Sequence, residues 1–168
     1  MSQTSGLLLA FAPREQNMTS SADFNRQIIE EFHANQGRVG GIFQDAPILL
    51  LHHTGATSGN HRINPLGYQR DGRRYVVCAS NGGAPNNPRW YHNLKAQPNV
   101  TIETGTDRIP IQANEAAGEE RDRLFRMSVQ HAPQLGEYEK QAGRTIPVIV
   151  LTPTDRGDAS GQYFRQEI

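Results

Sequence analysis

Strand-like segments follow one another through turns in this chain, and that order constrains the fold more than any other feature. Period-two or apolar runs occupy residues 47–52, 62–69, 75–78, 100–103, 109–113 and 146–151. Asp71-Gly72 is a hairpin signal before the third run, and Gly105 separates the fourth from the fifth. Regular strand–helix alternation and a GxGxxG motif are both missing, which disfavours a doubly wound sheet. The sequence predicts a mostly antiparallel barrel with helices plugging its ends, whose closure removes exposed strand edges.

Three helices are predicted between these strands. Phe24, Ile28 and Phe32 recur every four residues in the segment 23–36, and this helix is expected to cover one opening of the core. A second helix spans residues 87–97, with Asn87 as N-cap and Pro88 as its first residue, and a charged, amphipathic third spans 119–130. Pro65 is expected to break the second strand.

Length and charge limit the classes of function. The 168 residues suit one compact domain, and the formal net charge of zero leaves no basic surface for nucleic acid. Cys78 is the single cysteine, so an internal disulfide is excluded and a reducing cytoplasm is expected. Adjacent His52 and His53 point to opposite faces of a strand, so no metal site is predicted.

The two termini are expected to lie outside the folded domain of residues 23–153. The arm at residues 1–22 contains GLLLAFAP, which is too short to span a bilayer and lacks the basic region of a signal peptide. It either meets a membrane surface or a partner, or is a floppy or domain-packed terminus. Residues 154–168 form a polar extension.

A loop rich in Gly, Asn and Pro joins the strand ending at Cys78 to the helix after Asn87. Gly82 and Gly83 allow positive φ or close backbone approach, and N–H groups at a helix start attract negative charge. This combination predicts a ligand site, although such a loop is often only a connection. Trp90 shares a helix face with Leu94, so core packing is the alternative for its ring, whereas a buried Asn93 needs polar partners.

Four motifs carry a resemblance to a known family. TGATSG from Thr54, RINPLGY from Arg62, VVCASNGGAPNNPRWYHNLKAQPNV from Val76 and RTIPV from Arg144 resemble the deazaflavin-dependent nitroreductases. These are split-barrel reductases that use coenzyme F420, and the resemblance spans residues 24–152. It implies an antiparallel split β-barrel with flanking helices. The implied reaction is hydride transfer from the reduced deazaflavin to a small quinone-like or nitro-aromatic acceptor. A homodimer is compatible with the resemblance.

The resemblance also implies roles for particular residues. The deazaflavin ring would lie against residues 78–83 and the phosphate tail near residues 54–62, where Arg62 either binds phosphate or is a solvated strand charge. Tyr138 would donate a proton or is a core tyrosine, with Ser80 and water as other donors. The implied cofactor-binding residues are Ala56, Thr57, Ser58, Arg62, Ile63, Asn64, Pro65, Leu66, Cys78, Ala79, Ser80, Asn81, Gly82, Gly83, Arg89, Trp90, Tyr91 and Asn93.

The chain departs from the family in the turn and in the substrate pocket. Ala56 and Thr57 stand where basic residues are usual, a loss that Arg62 and Lys95 compensate in part. Gly67, Leu135 and Gln141 replace aromatic residues, which predicts a wider pocket. Two alternatives remain: a split barrel that binds FMN, and a non-catalytic protein that holds a deazaflavin or lipid-like ligand.

Overall fold

One antiparallel sheet of seven strands forms the centre of the computed structural model, which describes residues 18–43 and 46–154. The strand order is β2-β1-β5-β6-β7-β4-β3, and every neighbouring pair is antiparallel. The strands are β1 (Ile48–Thr54), β2 (His61–Gly67), β3 (Gln69–Asp71), β4 (Arg74–Cys78), β5 (Asn99–Thr104), β6 (Asp107–Glu115) and β7 (Val148–Pro153). The predicted antiparallel architecture is confirmed.

A single residue joins the two edge strands of this sheet. β2 ends at Gly67 and β3 begins at Gln69, so only Tyr68 separates them along the chain. Because consecutive Cα atoms are about 3.8 Å apart, the sheet must curl until its opposite edges nearly meet. The Tyr68 ring packs inside against Tyr75, with 5.4 Å between ring centroids. Closure of the barrel therefore comes from one bent strand and not from pairing between two separate edges.

Alternate residues of the curled sheet fill its interior. One face of helix α2 (Arg89–Ala96) closes one end, because its Trp90 and Leu94 belong to the same buried cluster. Since side chains alternate along a strand, the residues between them point outward. The inward residues from the strands are Leu49, Leu51, Tyr75, Val77, Ile102, Ile111, Ala113, Ile149 and Leu151.

Three helices cover the outside of the barrel. α1 (Met18–Ala34) places Ile28 and Phe32 on the outward residues of β1, and α3 (Gly118–His131) and α4 (Gln134–Ala142) pack on β4 and β7. The expectation that the first helix covers an opening is wrong, since α1 lies on the sheet face. α4 has no counterpart among the three helices predicted from the sequence.

Pro65 lies inside β2, opposite Leu50, so the predicted break in that strand is also wrong. A proline cannot donate to a neighbour, but β2 pairs with β1 only, and an edge strand tolerates the missing donor. The apolar run at residues 6–13 and the extension from residue 155 lie outside the described residues, and the domain limits stay predictions. No helix among the described residues is long and apolar enough to cross a membrane.

Phe32 and Phe24 test which part of α1 is packed. Phe32 is fully buried and Phe24 is 42% exposed. Phe32→Ala should lower the free energy of unfolding by about 3–5 kcal/mol because it opens a cavity, whereas Phe24→Ala should cost less than about 1 kcal/mol. Urea unfolding followed by circular dichroism measures both, and equal losses would contradict the packing described for α1.

Candidate functional site

Two strands finish at the same end of the barrel, and the sequence motifs follow them. In the strand order of the sheet, β4 is the fourth strand after β1. Because each strand is antiparallel to the next, an even number of steps means that β1 and β4 run in the same direction. Thr54 and Cys78, their last residues, therefore lie at one end, which we call the site end. The turn of residues 55–60 and the loop of residues 79–88 both begin there, and α2 lies between them.

Arg144 holds the loop of residues 79–88 together. Its guanidinium faces five oxygen atoms of this one segment, at donor–acceptor distances up to 3.4 Å. A planar group with five N–H donors suits such a set of acceptors, since each would otherwise need water. The acceptors are the carbonyl oxygens of Ala79, Ser80, Ala84 and Asn86 and the side-chain oxygen of Asn87.

Gly82 and Gly83 have φ of 64° and 88°, which confirms the predicted positive φ. Gly83 is buried, and a Cβ on it would stand 2.7 Å from Nε2 of Gln141 and 3.2 Å from Cδ1 of Tyr138. The close approach that Gly83 permits is therefore to α4. Asn81 also has positive φ, and its side chain donates to the carbonyl of Asn86 across the loop.

Helix α2 begins one residue later than predicted. Pro88 is the N-cap, with extended ψ of 158°, and Arg89 is the first helical residue. Asn87 is not a cap, because its side-chain oxygen accepts from Arg144. Arg89 is exposed at this helix start.

The turn of residues 55–60 is tied to α2 by a side-chain amide. Within the turn, the Gly55 N–H donates to the carbonyl of Asn60 at 2.8 Å, and the Asn60 N–H donates to the Ser58 hydroxyl at 3.1 Å. The Ala56 N–H donates to Oδ1 of Asn93 at 2.8 Å. The side chains of Ala56, Thr57 and Ser58 are exposed.

Strand β2 divides its predicted site residues between two faces. Asn64 and Leu66 point to the barrel interior, where Asn64 lies 2.8 Å from His53. Ile63 packs on the other face, with the cluster beneath α1. Pro65 lies two residues further along the strand and therefore on the same outer face as Ile63. Arg62 is exposed beside the turn, since a Cβ on Gly55 would lie 3.7 Å from its Nε.

Three other predicted site residues are buried, and a fourth, Cys78, is half-buried. Ala79 and Asn93 are 0% and 3% exposed, and Trp90 is 6% exposed within the core, which favours core packing for its ring. Cys78 packs beneath α3 and α4, and burial raises the pKa of its thiol to about 11. This thiol is protonated at neutral pH and is a poor nucleophile.

Tyr91 and Lys95 lie on the other side of α2 from Asn93. The Tyr91 hydroxyl and the Lys95 ammonium donate to the same oxygen of Glu115, at 2.8 and 3.0 Å. They line a cavity of about 240 Å³ between α2 and strands β6 and β7. The expectation that Lys95 compensates for Ala56 and Thr57 is wrong, because Glu115 engages it.

His52 and His53 point to opposite faces, as the sequence predicts. His52 contacts Glu103 and His61 on the outer face, whereas His53 contacts Asn64 and Asn93 inside. Among the described residues, no group of three His, Cys, Asp or Glu side chains could hold a metal ion.

Sequence reasoning missed what Arg144 and His53 do. In the sequence, Arg144 is recognisable only as the first residue of the RTIPV motif. Its hydrogen-bond partners are 57–65 residues away along the chain. The partners of His53 come from β2 and α2, which no local pattern identifies.

Arg144→Lys tests the role of the guanidinium. Lysine keeps the charge but cannot reach five acceptors, so we expect a loss of about 2–4 kcal/mol in unfolding free energy. Amide hydrogen exchange at Gly83 and Ala84 should also become faster. Arg126→Lys, on the exposed face of α3, is the matched control and should leave both measurements unchanged. Unaltered amide exchange in Arg144→Lys would show that the loop of residues 79–88 keeps its conformation without the guanidinium.

Comparison with known proteins agrees with this geometry. Residues 24–153 match the family model described as F420H(2)-dependent quinone reductase. An F420H(2)-dependent quinone reductase of Mycobacterium tuberculosis is 40% identical over 125 residues, covering 72% of this chain and 84% of the relative.

Solved structures give the same result for the fold. A structure of an F420-H2 dependent reductase (FDR-A) superposes with a TM-score of 0.58 at 39% identity, over 62% of this chain and 93% of that one. A structure described as a domain-swapped dimer gives 0.60 at 36% identity, over 78% and 98%. The predicted split barrel is confirmed, and coenzyme F420 is the cofactor in place of FMN. This chain belongs to the F420H(2)-dependent quinone reductase family.

Proposed function

We propose that this F420-dependent reductase binds the cofactor across the site end and passes a hydride to a quinone there. The observation that carries the proposal is the convergence of all four motifs. The turn of residues 55–60, the start of β2, the loop of residues 79–88 and the side chain of Arg144 lie at one end of the barrel. Separated segments that meet at one end of a barrel are typical of a binding site.

Charge supports an anionic ligand at this place. Arg62 stands beside the turn and Arg89 at the start of α2, and both are exposed. Neither forms an ion pair with an acidic residue in the part of the chain that the structure describes. Free guanidinium groups and helix-start N–H groups suit the phosphate tail of coenzyme F420.

The binding roles divide according to exposure. Arg62, Ser58 and the backbone of the turn would meet the tail, and Ser80 with the exposed Asn81-Gly82 segment would meet the ring. Ala79, Trp90, Asn93 and the buried part of β2 would act by holding those groups in place. Ile63 and Pro65, whose side chains lie on the outer face, would contribute backbone only.

The chemistry needs one proton from the protein or from water. Bound F420H2 supplies a hydride, and a quinone that accepts it also takes up one proton to become the hydroquinone. The Tyr138 ring lies beside Gly83 and packs on the cluster beneath α3, and no hydrogen bond joins its hydroxyl to another described residue. We assign Tyr138 as the group that donates this proton or orients the water that does, with Ser80 as the second candidate.

Arg62→Ala should weaken binding of oxidised coenzyme F420 by about 1.5–3 kcal/mol, the value of a charge-assisted contact. Fluorescence titration of the cofactor gives the dissociation constant. Arg73→Ala is the control, because it removes the same charge from the β3–β4 turn at the opposite end of the barrel. Equal dissociation constants for the two variants would remove Arg62 from the site.

Tyr138→Phe should lower the turnover of quinones about 10²-fold if its hydroxyl donates the proton, with little change in cofactor affinity. Steady-state oxidation of F420H2 measures this for flat quinones and for bulky bicyclic nitroimidazoles. Gly67 pairs with Ile48 at the opposite end of the barrel, so the expectation that it widens the pocket is wrong. Gln141, the other non-aromatic replacement near the site, lies against Gly83 without a bulky ring, so quinones should still be turned over faster. Faster turnover of nitroimidazoles than of quinones would contradict the quinone assignment. An unchanged turnover rate in Tyr138→Phe would show that the proton comes from Ser80 or water.

Assembly and location belong to the same proposal. A homodimer is supported by the domain-swapped dimer among the similar structures. Membrane contact rests only on the apolar run at residues 6–13, and the cytoplasmic location rests on the single cysteine.

A further inference from the structure

The hydrogen bond from Ala56 fixes the orientation of the Asn93 amide. A backbone N–H can only donate, and that of Ala56 lies 2.8 Å from Oδ1 of Asn93. The NH2 group of Asn93 therefore faces the other way, toward Nδ1 of His53 at 3.0 Å. An NH2 group can only donate, so His53 Nδ1 must be the acceptor.

This orientation determines the protonation of His53. Nδ1 carries no proton, so the neutral ring is protonated at Nε2, which donates to Oδ1 of Asn64 at 2.8 Å. His53 is 2% exposed, and both of its ring nitrogens have partners within the protein, so neither needs water. A charged imidazole would set an Nδ1–H group against the Asn93 NH2 group, and that contact is repulsive.

The surroundings favour the same neutral form. Burial lowers the pKa of His53, and the charges of Arg62, His61 and His52 lower it further, against the hydrogen bond to Asn64 that raises it. The contribution of the neutral ring to stability is therefore complete above the ordinary histidine pKa and is lost as pH falls through the lower pKa of the folded protein.

We propose that His53 is a positioning residue: through Asn93 it holds the Ala56 amide and so fixes the turn of residues 55–60 in the shape that receives the anionic tail. The assignment rests on the proposed cofactor site for its consequence but not for its geometry. Ala56 and Thr57 bring no cation to this turn, so what the turn offers an anion is the arrangement of its backbone. A turn that is already arranged binds more tightly because less ordering is needed on binding.

Two substitutions separate the two hydrogen bonds of His53. The oxygen of an asparagine side chain takes the place of Nδ1, and the amide nitrogen of a glutamine takes the place of Nε2. His53→Asn can therefore still accept from Asn93, whereas His53→Gln keeps the donor to Asn64 and loses the acceptor. Each variant loses one hydrogen bond and part of the ring, so their losses of thermal stability should be similar.

The two variants should differ in the turn. In ligand-free protein, amide exchange at Ala56 should become about tenfold faster in His53→Gln and stay near wild type in His53→Asn, since one buried hydrogen bond is worth about a factor of ten. The dissociation constant for oxidised coenzyme F420 should follow the same order. Equal effects of the two variants on exchange would overturn the proposal and leave His53 as a packing residue.

Nitrogen-15 NMR of the ligand-free protein at pH 7.5 tests the assignment directly. His53 should show an unprotonated Nδ1 and a protonated Nε2, and the opposite tautomer would overturn the proposal. Failure of the wild-type protein to bind coenzyme F420 would refute the proposed cofactor site. The His53 tautomer and the amide exchange at Ala56 are measured without ligand, so they would still test whether His53 positions the turn.

Discussion

The structure depends on a covalent constraint at Tyr68. This residue alone joins β2 to β3, the two edges of a seven-stranded sheet. The sheet therefore curls, and alternate side chains of its strands meet in one buried interior. The same curling brings the ends of β1 and β4 within the span of one eight-residue helix, α2. Without the bend, the two loops of the site would stand on distant strands.

Polar contacts, more than apolar ones, shape the site end. Arg144 gathers carbonyl oxygens of the loop after β4, and Asn93 binds the turn after β1. Both anchors are partly or fully buried, and the groups they bind belong to segments with few apolar side chains. The exposed surface is thereby left to Arg62, Ser58, Gly82 and Arg89. The buried anchors therefore form the base of the proposed cofactor site, and the exposed groups form its surface.

The sequence predicted the elements whose signals are local. Asp71-Gly72 specified a hairpin, Gly105 another, and the positive φ of Gly82 and Gly83 followed from their lack of a Cβ. Predictions were wrong where the outcome depended on residues distant in sequence. Pro65 was tolerated because β2 is an edge strand, and Asn87 bound Arg144 instead of capping α2.

The amino-acid sequence by itself determined the antiparallel class, through turn residues and hydrophobic alternation, and its four motifs identified the family and the cofactor. Tertiary structure alone decided which of the motif residues are exposed at the site end and which are buried. Trp90, Ala79 and Asn93 are buried, Lys95 is engaged by Glu115, and Arg62 is exposed. The physical reason is that burial and hydrogen-bond partners come from segments far apart in the chain. A pattern of neighbouring residues carries no record of them.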